Sequence, residues 1–295
     1  MPEQISRLSI YIGLLRPKTL FSGLSPIIVA VAYAYAQGYS DWVLAALLAL
    51  IAVSAQIASN VANDLIDYRK GADTEARQGP LRPLSKGLIG EWEVAILLAL
   101  VLLVLVAAGV AVMALTSWSL ALVGLFVILG LFAYSGGPMP LSYLGLGDLA
   151  VLVFFGWVPV ITSYYVLTGI YYEPSLYLLA TAMGLASVNI LVVNNYRDVE
   201  EDAQVGKRTL IVRMGRDFAP RLYLCCGMMS MLLLYPLYTA TGMWILILYG
   251  ALFFRAYKAL QLSTGVELNK VLAQTARNVF FLALLVVVLV ALKSW

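Results

Sequence analysis

The stretch NVANDLIDYRKGADTEARQGPLRPLSKG, residues Asn60 to Gly87, places a dense set of acids and bases between two long apolar runs. Within it, Asp64 and Asp67 are three residues apart, so a helix that continues into the stretch would point both carboxylates the same way. Two carboxylates would then share one face at the end of a helix. We call residues 60–87 the first acidic block.

A comparable stretch occurs once more, as NNYRDVEEDAQVGKRTLIVR at residues Asn194 to Arg213. Asp198 and Asp202 are four residues apart there, and the bases Lys207 and Arg208 follow. We call residues 194–213 the second acidic block. The rest of the chain is interpreted as a scaffold that brings the two blocks together.

The composition excludes an ordinary soluble domain, because 62% of the 295 residues are hydrophobic and only 12% are charged. Histidine is absent, which excludes a histidine base, the usual zinc ligand and every histidine-based triad. The two cysteines, Cys225 and Cys226, are adjacent within an apolar run and are interpreted as packing residues. No basic tail or nucleic-acid motif is present, so membrane lipid rather than nucleic acid is the expected environment.

Apolar runs long enough to cross a bilayer predict an all-α integral membrane protein, a single transmembrane domain over residues 1–295. The nine predicted transmembrane helices are 20–37, 42–62, 93–115, 118–135, 148–169, 174–195, 221–240, 243–260 and 275–293. With the N-terminus in the cytoplasm, every Lys and Arg except Lys293 falls on the cytoplasmic side, as the positive-inside rule requires. Both acidic blocks then lie at the cytoplasmic face of the cell's inner membrane. Residues 1–37 also resemble a signal peptide, but Ser25 and Pro26 interrupt the apolar run and favour an uncleaved first helix.

The connection AYSGGPMPLSYLGLGD at residues 133–148 carries no positive charge and four glycines. Two interpretations remain open for it. The segment either folds back over a cavity or forms a plain flexible turn.

Paired carboxylates at a membrane boundary need a reason, because a carboxylate within the bilayer costs about 2.5–3.5 kcal/mol. Oxygen ligands suit Mg²⁺, which binds one or two carboxylates together with substrate phosphates. The bases Arg82, Lys207 and Arg208 would neutralise the remaining phosphate charge. A lipid diphosphate therefore accounts for acids, bases and apolar walls with one ligand.

Departure of diphosphate from such a lipid leaves an allylic carbocation, which aromatic faces stabilise. Each candidate aromatic residue also has an ordinary role as a packing residue or an interfacial anchor. Tyr134 stands out because it leads into the glycine-rich connection. The candidates are Tyr134, Tyr143, Trp157, Tyr164, Tyr165 and Tyr196.

Several stretches together resemble the UbiA superfamily of intramembrane aromatic prenyltransferases, and most of all its 1,4-dihydroxy-2-naphthoate polyprenyltransferase (MenA) branch. They are RPKTL at 16–20, QIASNVANDLIDYRKGADTE at 56–75, YSGGPMPLSYLGLGD at 134–148 and VVNNYRDVEEDAQVGKRTL at 192–210. The resemblance covers nearly the whole chain. It implies nine transmembrane helices around a central cavity, with a lateral opening for a long isoprenoid.

The resemblance also implies roles for individual residues. The residues matching the two Asp-rich motifs that bind Mg²⁺ and prenyl diphosphate are Asn63, Asp64, Asp67, Asp198 and Asp202. Arg82 and Lys207 match basic positions associated with diphosphate, and Tyr134 matches a tyrosine near the reacting carbon. The wider superfamily often has a third acid four residues after the second, where this chain has Gly71. A metal role for Asp73, two residues further on, is therefore left open.

In the branch that the chain resembles, the aromatic substrate is a dihydroxynaphthoate that loses its carboxylate as the prenyl chain is attached, giving demethylmenaquinol in menaquinone synthesis. Arg16 and Lys18 are candidate contacts for that carboxylate, and their alternative role is positive-inside anchoring. Cavity shape rather than sequence decides the prenyl length, and the oligomeric state is not predicted.

Four alternatives are compared with this hypothesis. The same chemistry on another aromatic substrate keeps every residue role except those of Arg16 and Lys18. A secondary transporter also uses intramembrane acids but would place them near the bilayer midplane. CDP-alcohol phosphotransferases use one compact Asp/Gly/Arg motif that the chain lacks, and a noncatalytic quinone-binding relative would not need both acid pairs.

Overall fold

The computed structural model describes residues 6–71, 79 and 82–293, except for the side chain of Lys18. The described residues form helices and turns and contain no strand. The helices are α1 (Arg7–Leu15), α2 (Pro17–Ala36), α3 (Trp42–Arg69), α4 (Glu91–Leu115), α5 (Ala121–Ser135), α6 (Gly147–Leu152), α7 (Val158–Thr168), α8 (Pro174–Arg197), α9 (Val199–Gln204), α10 (Leu210–Met214), α11 (Phe218–Leu232), α12 (Ala240–Leu262) and α13 (Leu268–Leu292). Short 3₁₀ turns precede α5 and α13 and follow α11.

Within the described ranges, nine helical segments are long and apolar enough to cross a membrane, which confirms the predicted all-α membrane architecture. The observed segments begin and end within a few residues of the predicted ones, with two exceptions. The second segment continues to Arg69, so the start of the first acidic block is helical. The ninth begins at Gly265, because the polar residues after Leu262 form a 3₁₀ turn that leads directly into α13.

Local chemistry sets the helix starts. Pro17 and Pro174 occupy first-turn positions of α2 and α8, where the missing N–H costs nothing. The Asp41 side chain accepts a hydrogen bond from the Leu44 N–H at 2.9 Å and begins α3. Thr239 begins α12 by the same device, with the Gly242 N–H at 3.0 Å.

Helix α8 is the most buried of the spanning helices, and α2, α6, α7, α11 and α13 pack against it. It contributes Ala180, Ala182, Gly184 and Ala186 to the largest buried cluster or to its close contacts. Lipid tails are as apolar as the helix surfaces, so helices in a bilayer associate through close packing, and small residues allow it. A second cluster joins α1, α3, α4 and α5.

The fifth spanning segment is bent where it crosses α8. A π-helical turn, Val153–Trp157, joins α6 to α7. Within it Gly156 lies so close to α8 that a Cβ atom there would be 2.5 Å from the Ala180 carbonyl oxygen. A Cβ on Gly184 would lie 2.8 Å from the Leu152 carbonyl oxygen. These two glycines allow the backbones to touch, which fixes α6 against α8.

The connection at residues 133–148 is tied to the second acidic block. The Arg208 N–H donates to the Tyr143 carbonyl oxygen at 3.0 Å, and the Arg213 guanidinium donates to the Leu144 carbonyl oxygen at 2.8 Å. Gly145 adopts a left-handed conformation (φ 73°) beside the Arg208 carbonyl. These contacts favour the interpretation in which the segment folds back towards a cavity.

Candidate active site

The two acidic blocks line one cavity of about 600 Å³. It lies where the ends of α3 and α8 meet the joint between α1 and α2 and the first turns of α13. Its lining from the two blocks comprises Asn63, Asp67, Arg82, Asn194, Asn195, Arg197, Asp198, Asp202, Lys207 and Thr209. Segments far apart in the sequence therefore converge at one end of the bundle.

The first block is organised by a single guanidinium. Asp64 and Asp67 face the same way on the last turns of α3, and both are buried. Arg82, itself only 9% exposed, places its Nε 3.2 Å from Asp64 Oδ1 and one terminal nitrogen 2.9 Å from Asp67 Oδ2. The planar fork of arginine suits two carboxylates that would otherwise repel each other.

Arg16 forms a second ion pair with Asp64 from the joint between α1 and α2. It is the one non-glycine residue with a positive φ (49°) in the described part of the chain. The Asn60 side chain secures this joint by donating to the Leu15 carbonyl oxygen and to the Thr19 hydroxyl, both at 3.3 Å. Arg16 thus lies on the cavity wall, while the side chain of Lys18, the other candidate contact, lies outside the described residues.

The second block is anchored by Arg197, a residue that the sequence analysis did not select. Its Nε and one terminal nitrogen each lie 2.6 Å from an oxygen of Asp198, and its other terminal nitrogen donates to Asn269 of α13 at 2.7 Å. Asp202 lies on α9 with Lys207 Nζ 3.3 Å from its Oδ1. Burial raises the pKa of Asp202, and the charge of Lys207 acts against that rise.

The glycine-rich connection supplies a third wall through Tyr134, Ser135 and Ser142. Lys70 of the first block donates to the Ser135 carbonyl oxygen at 2.6 Å and lies 4.9 Å from the Tyr143 ring centroid. Lys207 of the second block lies 5.6 Å from the same ring centroid. The Tyr143 ring therefore links the two blocks through cation–π contacts.

The donor set fits a hard divalent cation. Asn63 Oδ1 and Asp67 Oδ1 are buried without a hydrogen-bond partner among the described residues, and both residues line the cavity. Asp198 and Asp202 add carboxylates from the opposite wall. No three acids of the described residues cluster closely enough to hold an ion by themselves. Mg²⁺ suits such a site, because it keeps waters and completes its shell with substrate phosphate oxygens.

Some of the remaining predicted site residues line the cavity, and others lie outside its lining. Of the aromatic candidates, Tyr134 lines the cavity, and the others do not. Tyr196 packs against Arg216 at 4.7 Å, Trp157 donates to Thr181 at 2.9 Å, and Tyr165 stacks on Tyr171. The side chain of Arg208 is exposed and outside the cavity lining, and Asp73 lies outside the described residues.

Arg197, Asn269 and Asp148 line the cavity but were not predicted as site residues. Arg197 and Asp148 did carry a signal, since each is a charge at the end of an apolar run. Asn269 carried none, because its run of polar neighbours is typical of any helix connection. A second, apolar cavity of about 700 Å³ lies between α2, α3 and α13, and α2 and α13 line both cavities.

The chain is similar to several known proteins. The family model of the UbiA prenyltransferase family matches residues 23–285. A 1,4-dihydroxy-2-naphthoate octaprenyltransferase of Escherichia coli (strain K12) is 36% identical over 99% of this chain and 98% of its own length. A protein of the same name from Haemophilus influenzae is 38% identical over 71% of this chain and 70% of its own.

Among solved structures, a UbiA homolog from Archaeoglobus fulgidus bound to DMAPP and Mg²⁺ superposes with a TM-score of 0.64. The match covers 96% of this chain and 99% of that one at 16% identity, which speaks for the fold alone. The matched residues and the near full-length relative together establish that this chain belongs to the UbiA prenyltransferase family.

Proposed function

We propose that the protein transfers a polyprenyl group from a prenyl diphosphate to 1,4-dihydroxy-2-naphthoate, with loss of the carboxylate, and so forms demethylmenaquinol for menaquinone synthesis. The observation that carries the proposal is the convergence of both acidic blocks on one cavity. The names of the E. coli and H. influenzae relatives support the choice of aromatic substrate.

Asn63, Asp64, Asp67, Asp198 and Asp202 would hold Mg²⁺, the cofactor of the proposed reaction. Bound there, Mg²⁺ supplies charge neutralisation for the departing diphosphate. The A. fulgidus homolog bound to DMAPP and Mg²⁺ supports this choice of ion and ligand. Within this chain, Arg82, Arg197 and Lys207 orient the carboxylates through the ion pairs described above.

Diphosphate binding uses the bases that line the same cavity. Arg82 and Lys207 face the cavity and carry donors suited to phosphate oxygens. The Asn63 amide provides a further polar group on the α3 wall. Arg208 was predicted to join this set, but its exposed side chain gives the proposal no support.

The polyprenyl chain of the prenyl diphosphate requires a long apolar channel. The second cavity is lined by α2 residues such as Ile28 and Val31 and by Val287 and Val290 of α13. Since α2 and α13 also line the polar cavity, a polyprenyl chain whose diphosphate sits between the blocks can run along these helices into it. Tyr134, the one aromatic candidate that lines the polar cavity, would face the reacting carbon.

The carboxylate of the aromatic substrate would bind to a base on the cavity wall. Arg16 lies on the cavity wall and carries a donor fork that suits a ring carboxylate. Its ion pair with Asp64 means that substrate binding would divide the guanidinium between two carboxylates. Prenylation of a different aromatic ring would use the same donor machinery and remains the alternative.

A secondary transporter is not favoured by the position of the charges. Asp64 and Asp67 lie on the last turns of α3, and Asp198 follows the last residue of α8. Transport sites formed by intramembrane acids lie near the bilayer midplane instead. The arginine and lysine partners also suit phosphate better than a transported cation.

The test is product analysis by mass spectrometry with the purified, membrane-reconstituted protein. Dihydroxynaphthoate is mixed with prenyl diphosphates of several lengths and Mg²⁺, and each product is expected to have the mass of a prenylated 1,4-dihydroxynaphthalene without the carboxylate. Chelation of Mg²⁺ with EDTA should abolish both product and diphosphate release, and added Mg²⁺ should restore them. Release of diphosphate with a different ring as the only accepted substrate would overturn the choice of dihydroxynaphthoate.

A further inference from the structure

Asp148 is a carboxylate of the cavity wall that belongs to neither acidic block. It is the second residue of α6, and its Oδ1 is shielded from solvent with no hydrogen-bond partner among the residues described. An unpaired buried carboxylate oxygen is costly and is concentrated at functional sites. The proposed binding of Mg²⁺ and diphosphate by the two blocks does not account for it.

The four aspartates proposed to hold Mg²⁺ differ from Asp148 because each of them is bound to a cation. The ion pairs join Asp64 to Arg16 and Arg82, Asp67 to Arg82, Asp198 to Arg197, and Asp202 to Lys207. Within residues 6–71 and 82–293, Asp148 forms no such pair. A guanidinium or ammonium group bound to a carboxylate occupies its oxygens and competes for them with a substrate hydroxyl. Asp148 is therefore the cavity carboxylate best suited to take up a proton.

Its position is fixed by packing. A Cβ atom on the preceding residue, Gly147, would lie 3.2 Å from Leu191 of α8 and 3.5 Å from the Tyr134 hydroxyl oxygen. The start of α6 is thus pressed against α8 and directly beside Tyr134. The contact between Gly156 and α8 holds the same segment more than two turns further along. Asp148 consequently has a defined place next to the residue proposed to face the reacting carbon.

We propose that Asp148 accepts the proton of the aromatic substrate's ring hydroxyl, an inference that rests on the function proposed above. The hydroxyl next to the carboxylate-bearing ring carbon gives its proton to Asp148, and its oxygen becomes a carbonyl. The electron pair released into the ring forms the new bond from that carbon to C1 of the prenyl group. The bond from C1 to the diphosphate oxygen breaks, and its electron pair leaves with diphosphate.

The proton then returns. The bond from the ring carbon to the carboxylate breaks, carbon dioxide leaves, and the electron pair restores the aromatic ring. The carbonyl oxygen takes its proton back from Asp148. Because carbon dioxide rather than a proton leaves the ring carbon, the reaction releases no net proton. A shielded carboxylate that stores a proton within the cavity suits this balance.

The test compares Asp148→Asn and Asp148→Glu with the wild-type protein in the reconstituted assay between pH 6.5 and pH 9.5. General-base catalysis contributes about 100-fold to 10,000-fold, so Asp148→Asn should lose about 100-fold or more of the turnover at neutral pH. The deficit should narrow as the pH rises, because solvent then ionises the substrate hydroxyl. Asp148→Glu, which keeps a carboxylate, should exceed Asp148→Asn at neutral pH. Binding of farnesyl diphosphate with Mg²⁺ should be unchanged in both variants.

A matched control is the variant Asp41→Asn, which should retain full turnover. Asp41 is an acid that begins α3 at the other end of the bundle. Near-normal turnover of Asp148→Asn would overturn the inference, and so would a deficit of equal size at every pH. If the wild-type protein itself makes no product from dihydroxynaphthoate, the proposed function fails instead. The two failures are therefore distinguishable.

Discussion

At the residue scale, each of the four aspartates Asp64, Asp67, Asp198 and Asp202 is paired with a base that lines the cavity. Arg82 is the clearest case, because one guanidinium contacts both Asp64 and Asp67. Burying two like charges on one helix face would be costly without it. The bases therefore make the acid pairs possible before any ligand is considered.

Asp67→Asn is the most informative change at this scale. Arg82 keeps Asp64 as a partner in this variant, so no buried cation loses its only carboxylate. Asp198→Asn would instead remove the bidentate partner of buried Arg197. We expect Asp67→Asn to lower turnover by about 100-fold or more, since the amide keeps the size of the side chain but loses the negative charge that would bind Mg²⁺. Product formation and the melting temperature are the measurements.

Little change in the melting temperature is expected for Asp67→Asn, and Asp41→Asn serves as the control that changes neither quantity. Near wild-type turnover in Asp67→Asn would remove this residue from the proposed metal site. A fall in turnover matched by a large fall in melting temperature would indicate a structural role instead.

At the element scale, the crossing of the fifth and sixth spanning segments positions the site. Gly156 and Gly184 let the two backbones touch, and α6 with Asp148 lies on one side of that contact. The π-helical turn at Val153–Trp157 accommodates the bend. Such turns occur often at functional sites, where they redirect the residues on either side.

Gly184→Ala tests the importance of this crossing. Its Cβ would lie 2.8 Å from the Leu152 carbonyl oxygen and 2.7 Å from the Leu152 side chain, so the segments must separate. Overpacking of this kind costs about 1–3 kcal/mol. We expect a lower melting temperature in detergent and reduced turnover, because α6 carries part of the cavity wall.

The matched control is Gly124→Ala, within α5, where a Cβ would meet nothing within 4 Å. Alanine is also the better helix former at such a position. The control should be at least as stable as the wild-type protein. Equal melting temperatures for the two variants would show that the close crossing is unimportant for stability.

At the scale of the whole molecule, the cavity lies at one end of the bundle, because the ends of α3 and α8 meet the starts of α2 and α13 there. At the opposite end, the Tyr33 hydroxyl of α2 donates to Glu173, which precedes α8, at 3.1 Å. This hydrogen bond joins α2 to the short connection between α7 and α8. The distribution of Lys and Arg predicts that the cavity end faces the cytoplasm, with the N-terminus on the same side. Orientation and choice of membrane are proposals that follow from charge, not from packing.

Cysteine labelling tests the orientation. In a chain carrying Cys225→Ala and Cys226→Ala, we compare Ser40→Cys, between α2 and α3, with Thr264→Cys, between α12 and α13. Both positions are exposed. In intact cells a membrane-impermeant maleimide should label Ser40→Cys alone, and Thr264→Cys should react only after lysis. The reverse pattern would place the cavity on the outer side.

By itself the sequence predicted the nine spanning segments found among the described residues and the bounds of all but two of them, because each must be about 20 apolar residues long to cross a bilayer. It also singled out both acidic blocks, since charges are rare in so apolar a chain. The single-domain assignment stays a prediction.

Only the tertiary structure decided which bases face the cavity and which acids they hold. Arg82 points into it while Arg208 is exposed, although both are basic residues close to an acidic block. Arg197, Asn269 and Asp148 reach the same space from three different helices. Helix length and polarity are local properties of the chain, whereas the meeting of side chains depends on how helices cross, and here that crossing is set by contacts as specific as Gly156 against Ala180.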